Sequence, residues 1–509
     1  MTEPLHCDVL VAGGGINGVA IARDAAGRGL NVVLCEQDDL ASHTSSASTK
    51  LIHGGLRYLE YGEFALVRKA LLERRVLLRS APHLVRPLRL LLVHDASMRP
   101  AWMVRAGLRL YDLMAGRSDL PVSRRVELAR HPAGQALQPQ FRVGFEFSDA
   151  WTDDARLVIT TAIDAAERGA RIFTRTRLNQ AQRQGPLWSA VAAGAQGPAL
   201  HIRAKALVNA TGPWASDFLQ TVAATGSDRR LRLVKGSHLV VRRMFGHSFA
   251  YVMQASDRRI AFAIPFEGVF TLLGTTDVEF GQEPGTAQID AAEIDYLLDL
   301  ANRYLKQPIV RADIAWTFSG VRPLLDGGAD PSALTRDYAL ELDRQGAPLL
   351  TVWGGKVTTF RTLAEEAVNH LAPGLGCPPR GWTRDTSLPG GDLGQGAGAP
   401  VSGQVVAQFV AQLIVRYGWM PPRMLQRMAA AYGSRVYTVL GSAQRVADLG
   451  EPIADGLYEA ELNYLAAKEW AVSADDVLWR RSKLGLHLAP DQCQRVHDWF
   501  ARRPGSRDP

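Results

Sequence analysis

Cysteine is scarce. The 509 residues contain four, Cys7, Cys35, Cys377 and Cys493, with no CxxC pair and no Cys/His spacing suited to a metal. That distribution argues against a disulfide framework or a zinc site and fits idle thiols in a reducing compartment. Long apolar runs are also missing. No stretch approaches the ~20 residues needed to cross a bilayer, so no spanning segment is expected. Internal repeats are absent. The opening MTEPLHCDVLVAGGG reaches its glycines too soon, with acidic rather than basic flanks, to be a cleaved secretory signal, so a cytoplasmic location is expected. Nor is there a basic stretch interleaved with aromatics. The 58 basic and 51 acidic side chains leave a net charge of +7, but the positive residues are dispersed. No nucleic-acid partner is expected, whereas phosphorylated metabolites and acidic lipid headgroups suit the sign of the charge.

What is present suits a globular protein of two or three domains, with 47% hydrophobic and 21% charged residues. Strand-like runs at 205 to 210 (KALVNA), 269 to 274 (VFTLLG) and 348 to 353 (PLLTVW) alternate with helical stretches, the pattern of an α/β protein. The stretch between Tyr58 and Phe141, rich in Leu and Arg, reads as a helical interruption of that pattern. Residues 385 to 404, DTSLPGGDLGQGAGAPVSGQ, are too rich in Gly and Pro to build a core and read as a linker. Beyond them, segments 458 to 470 and 474 to 485 carry apolar residues at helical spacing, and Ser473 with Asp476 forms a capping-box start. The tail is expected to be a helical domain that caps the cleft, binds a partner or forms a homodimer.

Residues 8 to 12 (DVLVA) read as a buried strand, followed by Gly13-Gly14-Gly15-Ile16-Asn17-Gly18 and a helix of small residues. This is a GxGxxG turn. Gly13 permits the tight bend, Gly15 lets a pyrophosphate approach the backbone, Gly18 allows close strand–helix packing, and the helix N-terminus attracts the phosphates. The next strand, 30 to 36, ends in Glu36, 18 residues after Gly18, where a carboxylate accepts ribose hydroxyls and repels a 2′-phosphate, favouring FAD or NAD over NADP. A second glycine turn, Gly354-Gly355, joins the strand at 348 to 353 to a helix beginning near TTFRTLAEEAVNHL. Its N-terminus is a second anion site, which a reduced flavin needs and a nicotinamide does not. FAD is therefore the expected cofactor.

From Ser42 the chain reads SHTSSASTKLIHGGLRYLEYGE, then NATGPWA (209 to 215), KGSHLVV (235 to 241), GTTDVE (274 to 279), FSGVRPL (318 to 324), TRDYAL (335 to 340) and GGKVTTFR (354 to 361). In this order, over residues from about 8 to 500, the chain resembles the flavin-dependent glycerol-3-phosphate dehydrogenases, the aerobic respiratory enzymes of bacteria. The resemblance implies a Rossmann-like FAD-binding domain of the glutathione-reductase/D-amino-acid-oxidase type, a mixed-sheet substrate domain and a C-terminal helical domain. The expected boundaries are 1–80, 150–215 and 318–384 for FAD binding, 81–149 and 216–317 for substrate binding with the helical insertion, and 405–509 for the tail.

The implied activity is oxidation of sn-glycerol 3-phosphate to dihydroxyacetone phosphate, with a hydride passing from C2 to flavin N5 and electrons then passing to membrane quinone. Alternatives are an oxidase of the same substrate using O2, or an amine or amino-acid oxidase of the same fold. Phosphate suits planar guanidinium forks, so Arg57, Arg322 and Arg336, with Tyr58 as a neutral donor, are the expected clamps. His53 and His238 are both candidates for the base that takes the hydroxyl proton, and the choice between them stays open. Lys356 either compensates reduced flavin or binds substrate, and Arg322 and Lys356 are expected at the reacting centre. Thr44, Ser45, Ser46 and Lys50 are expected to reach the FAD pyrophosphate and ring edge. Gly212 lets backbone approach the cofactor, and Gly14, Asn17, Gly355, Thr358 and Thr359 complete the cofactor set. A quinone partner implies peripheral attachment to the inner face of the cytoplasmic membrane. Residues 101 to 115 offer Trp102, Met103, Ala106, Leu110, Leu113 and Met114 on one helix face, either for the headgroup zone or for a core.

Overall fold

The computed structural model describes residues 3–95, 97–116, 118–194, 198–326, 337–393 and 402–503. The N-terminal strand Leu5–Ala12 lies parallel between Val32–Cys35 and Leu200–Asn209. The sheet continues through Leu349–Trp353 to Ala339–Asp343 on one side and to Arg171–Phe173 on the other. A hairpin, Thr176–Gln184 with Leu187–Gly194, joins it along Leu200–Asn209. Val9, Leu10 and Val11 have at most 1% exposure, because helices cover one face and the hairpin with the Ala215–Thr221 helix covers the other. Burial on both faces makes such strands continuous apolar runs, which is how they read in the sequence. The Ile16–Gly27 helix packs against Asp154–Glu167 and Phe360–Leu375, and its Ala20, Ala22 and Ala25 let the backbones approach closely.

Among the described residues the second sheet has ten strands. Val85–His94 sits near its centre, antiparallel to Val143–Thr152 and parallel to Ala250–Gln254. The long strand Leu231–Arg242 pairs with Phe270–Gly274 on one side and Ile314–Leu325 on the other. Two expectations change here. The stretch after Tyr58 is helical through Ser80 and again at Ala101–Ala115, but it contributes the central strand Val85–His94 in between. Strand Ile314–Leu325 pairs within this second sheet, so the FSGVRPL segment is part of it and not the return to the nucleotide sheet.

The C-terminal helices, Ser402–Arg416, Pro422–Tyr432, Val436–Leu440, Glu459–Lys468 and Pro490–Ala501, enclose their own core around Leu413, Leu425, Met428, Leu462 and Val496. Ser473 and Asp476 exchange the reciprocal bonds read from the sequence, at 3.0 and 3.3 Å, at the start of a π-helical turn Asp476–Arg481. The glycine-rich segment is not a free linker up to residue 393. Leu388 is buried in the core beneath the nucleotide sheet, Leu393 is buried in the C-terminal core, and Leu388 N–H donates to Ser80 O at 2.8 Å. The remainder of that segment, to 401, lies outside the described residues. No helix among the described residues is long and apolar enough to cross a membrane.

Candidate active site

The first glycine turn is built as its spacing requires. Gly13 has φ +107°, and a Cβ there would stand 2.5 Å from Ala210 O; a Cβ on Gly18 would stand 1.9 Å from Gly13 O. Neither position tolerates a side chain. Glu36, at the end of the next strand, accepts the N–H of Gly14 at 2.5 Å and of Asp38 at 2.8 Å. Burial raises its pKa, and its oxygens keep lone pairs for hydroxyl donors. Ser45 Oγ accepts Ile16 N–H at 3.0 Å, across the helix start.

The second turn meets the first. Gly354 and Gly355 have φ +74° and +112°, and Asn17 Nδ2 donates to Gly354 O at 3.1 Å. Both turns face one cavity of about 1350 Å³, large enough for a dinucleotide and a small substrate. Its walls include Gly13, Gly15, Asn17, Glu36, Thr44, Ser45 and Gly212, and also His53, Arg57, Tyr58, Arg322, Gly355, Lys356 and Thr358.

Arg322 projects from strand Ile314–Leu325, ion-paired to Asp277 and donating to Thr275 Oγ1 at 2.7 Å. Among the described residues these contacts use two of its five N–H donors. Lys356 Nζ lies 4.3 Å from the centre of the Tyr58 ring. His53 follows strand Leu51–Ile52, and its backbone N–H meets Thr358 Oγ1 at 3.4 Å.

Residues 8–361 match the model of a family described as FAD dependent oxidoreductase, and residues 382–505 match the C-terminal domain of alpha-glycerophosphate oxidase. The chain belongs to the FAD-dependent oxidoreductases. A glycerol-3-phosphate dehydrogenase of Pseudomonas aeruginosa is 49% identical over 97% of this chain and 94% of its own. A D-erythritol 1-phosphate dehydrogenase of Brucella abortus is 47% identical over 98% and 99%. The crystal structure of glycerol-3-phosphate dehydrogenase from Bacillus halodurans complexed with FAD superimposes with a TM-score of 0.76, at 27% identity, over 98% of this chain and 90% of that one.

FAD is thus the cofactor of this oxidoreductase, and the cavity fits it. Asn17 Oδ1 and Ser42 Oγ line the walls, buried without a hydrogen-bond partner among the described residues, as polar atoms awaiting a ligand would be.

Several expected residues of this FAD-dependent oxidoreductase are placed differently. Lys50 does not reach the cavity. It is fully buried, ion-paired to Asp154 at 2.6 Å and donating to Ser46 O at 3.1 Å, because Asp154 also holds the Ser48 N–H and hydroxyl and needs a compensating charge. Ser46 turns its hydroxyl to His43 O at 3.2 Å, and Thr359 is buried behind the second turn, so neither lines the cavity. Gly14 acts from behind the wall through Glu36. His238 is enclosed too, with 1% exposure, stacked on Phe318 at 4.7 Å and touching Thr49 Oγ1 at 3.0 Å. Burial first, then the Arg322 and Lys50 charges, push its pKa well below the usual histidine value, which favours the neutral ring. Arg336 lies outside the described residues.

Sequence reading missed Asp277 and Thr275, although both stand in the GTTDVE motif, and Arg99 and Arg258, which add positive charge to the cavity wall. Arg258 occupies a turn at φ +67° with no motif around it, so nothing in the sequence marks it. Tyr111 was unassigned as well. It accepts Gly54 N–H at 2.8 Å and donates to buried Asp149, fixing the loop that carries His53.

Proposed function

We propose that the protein oxidises sn-glycerol 3-phosphate to dihydroxyacetone phosphate and passes the electrons to membrane quinone. The observation that carries this reading is that Arg57, Arg322, Lys356 and His53 all line the one cavity that the two glycine turns face. Three cations suit a phosphate dianion, whereas an amino-acid carboxylate calls for one arginine. The names of close relatives point the same way.

Bound FAD supplies the two-electron acceptor for the hydride leaving C2. The remaining work falls to side chains. Gly13, Gly15 and Ser45 would hold the pyrophosphate, Glu36 would accept the ribose hydroxyls, and Gly355, Lys356 and Thr358 would hold the flavin. Arg57, Arg322 and Tyr58 clamp the phosphate. His53, on the cavity wall, accepts the hydroxyl proton, in preference to the enclosed His238.

The quinone reading is supported by the Ala101–Ala115 helix. It buries Leu108, Tyr111 and Ala115, yet leaves Trp102 69% and Leu113 77% exposed, with Tyr61 and Phe64 also exposed. A core-facing helix would hide those residues. The cavity wall runs on to Met103, Val104, Ala106 and Leu110 of the same helix, which gives a membrane-borne acceptor an apolar approach.

Anaerobic addition of substrate tests the activity. Glycerol 3-phosphate should bleach the flavin band near ~450 nm, and glycine or D-amino acids should not. A faster response to D-erythritol 1-phosphate would move the assignment to the four-carbon polyol phosphate, which offers the same phosphate and secondary alcohol. Reoxidation faster with a soluble quinone than with O2, and little hydrogen peroxide, is expected of a dehydrogenase; the reverse would make the protein an oxidase.

A further inference from the structure

The loop after Glu36 is held from two sides. On the cofactor side, Glu36 accepts the Gly14 N–H, Leu40 packs where a Gly14 Cβ would stand, and Ala41 N–H donates to Gly14 O at 3.3 Å. On the far side lies the C-terminal domain. Asp39, 2% exposed, receives both Nη groups of Arg481, which is itself 0% exposed, and the Nε of Arg480 at 2.5 Å. Arg480 also donates to Asp476, which Arg175 grips from the nucleotide domain at 2.7 and 2.9 Å. Arg481 is steadied in turn by Glu469 O, whose own carboxylate takes a two-pronged bond from Arg156.

A buried ion-pair network of this kind adds little net stability compared with an apolar packing, because both charges lose their water. What it does impose is geometry, since a guanidinium fork accepts a carboxylate in few orientations. Asp39 stands three residues after Glu36, on a loop that touches the fingerprint glycine through Glu36, Leu40 and Ala41 and is also held by backbone bonds to Phe173, Arg175 and Thr176.

We infer that the C-terminal helical domain holds the adenosine end of the FAD site in its binding shape, with Arg481 and Arg480 as positioning residues acting through Asp39 on Glu36 and Gly14. The role is cofactor retention, and it stands independently of which alcohol is oxidised.

The test uses the full-length holoprotein and reads FAD dissociation by recovery of free-flavin fluorescence, together with the rise in Tm that FAD gives to apoprotein. Asp39→Asn and Arg481→Lys should speed FAD loss by about tenfold or more, the scale of losing an outer-shell partner, and should shrink the FAD-dependent rise in Tm. Arg435→Gln is the control. It breaks another contact between the same domains, the 2.6 Å pair of Arg435 with Glu167, remote from the Gly14 loop, and should leave FAD dissociation unchanged. Should Arg481→Lys fail to fold, Arg480→Gln, at a partly exposed side chain, is read by the same two measurements. Unchanged FAD dissociation with apo and holo Tm lowered equally would overturn the inference and leave the network as a domain fastener only.

Discussion

Asn17 and Gly354, 337 residues apart, are joined by a hydrogen bond of 3.1 Å that ties the first helix of the nucleotide domain to the turn carrying Lys356. The two anion-binding turns are thus linked directly by a side chain, in addition to the strand Leu200–Asn209 that both preceding strands flank. Asn17→Ala should cost about 1–2 kcal/mol of stability through the buried carbonyl left without its donor. It should also lower the rate of substrate-driven flavin bleaching. Thermal unfolding and stopped-flow absorbance measure the two effects.

Arg322 is held by Asp277 and Thr275 in a fixed orientation. Arg322→Lys keeps the charge but loses the fork, and should raise KM for the phosphorylated substrate about tenfold or more, since a charged hydrogen bond contributes about 1.5–3 kcal/mol. An unphosphorylated polyol, poor as a substrate to begin with, should be nearly indifferent to the change. Steady-state kinetics with both compounds separates phosphate recognition from a general loss of activity.

His53→Gln and His238→Gln should behave differently. The first removes the proposed base and should lower kcat by about 10²–10⁴-fold, with loss of the acid limb of the pH profile. The second replaces a ring that is neutral throughout, so the shape of the profile should survive whatever happens to its height. Identical pH profiles for His53→Gln and wild type would remove His53 from the proton-transfer role.

His83 is buried, neither ring nitrogen has a hydrogen-bond partner among the described residues, and burial lowers its pKa to about 3. Its native state binds a proton less readily than its unfolded state. The resulting penalty is absent above about pH 6.5, appears as the pH falls below it, and amounts to about 2 kcal/mol at pH 5. His83→Leu should flatten the loss of stability between pH 7 and pH 5, as measured by denaturant unfolding at each pH.

Trp102 and Leu113 stand outward from the Ala101–Ala115 helix. Trp102→Asp with Leu113→Asp should abolish flotation with anionic liposomes while leaving bleaching by substrate intact. Retained flotation would move membrane contact to another face.

The parts of the site legible in the sequence are those made by neighbours in the chain. Gly13, Gly15 and Gly18, Glu36, and the Gly354-Gly355 turn are each dictated by backbone geometry over a few residues, and the structure puts them where that geometry requires. The Lys50 position was misread because its partner, Asp154, lies 104 residues away and competes with any ligand for the ammonium. Strand Val85–His94 was read as helical because both its faces are largely covered, which erases the alternation that marks a strand. The outward apolar face of Ala101–Ala115 could not be chosen from periodicity alone, since a core and a lipid surface select the same residues.

Strand order also has a consequence for how the molecule is made. Leu5–Ala12 takes Leu200–Asn209 as its neighbour, and that strand in turn takes Leu349–Trp353. Leu5–Ala12 is therefore synthesised long before Leu200–Asn209, and Leu200–Asn209 before Leu349–Trp353. With sequential synthesis at ~5–20 residues per second, that delay is some tens of seconds. For that interval the growing sheet lacks neighbours, Leu5–Ala12 being paired only with Val32–Cys35, so nascent chains should depend on chaperones, and truncations ending before Trp353 should be recovered aggregated and colourless.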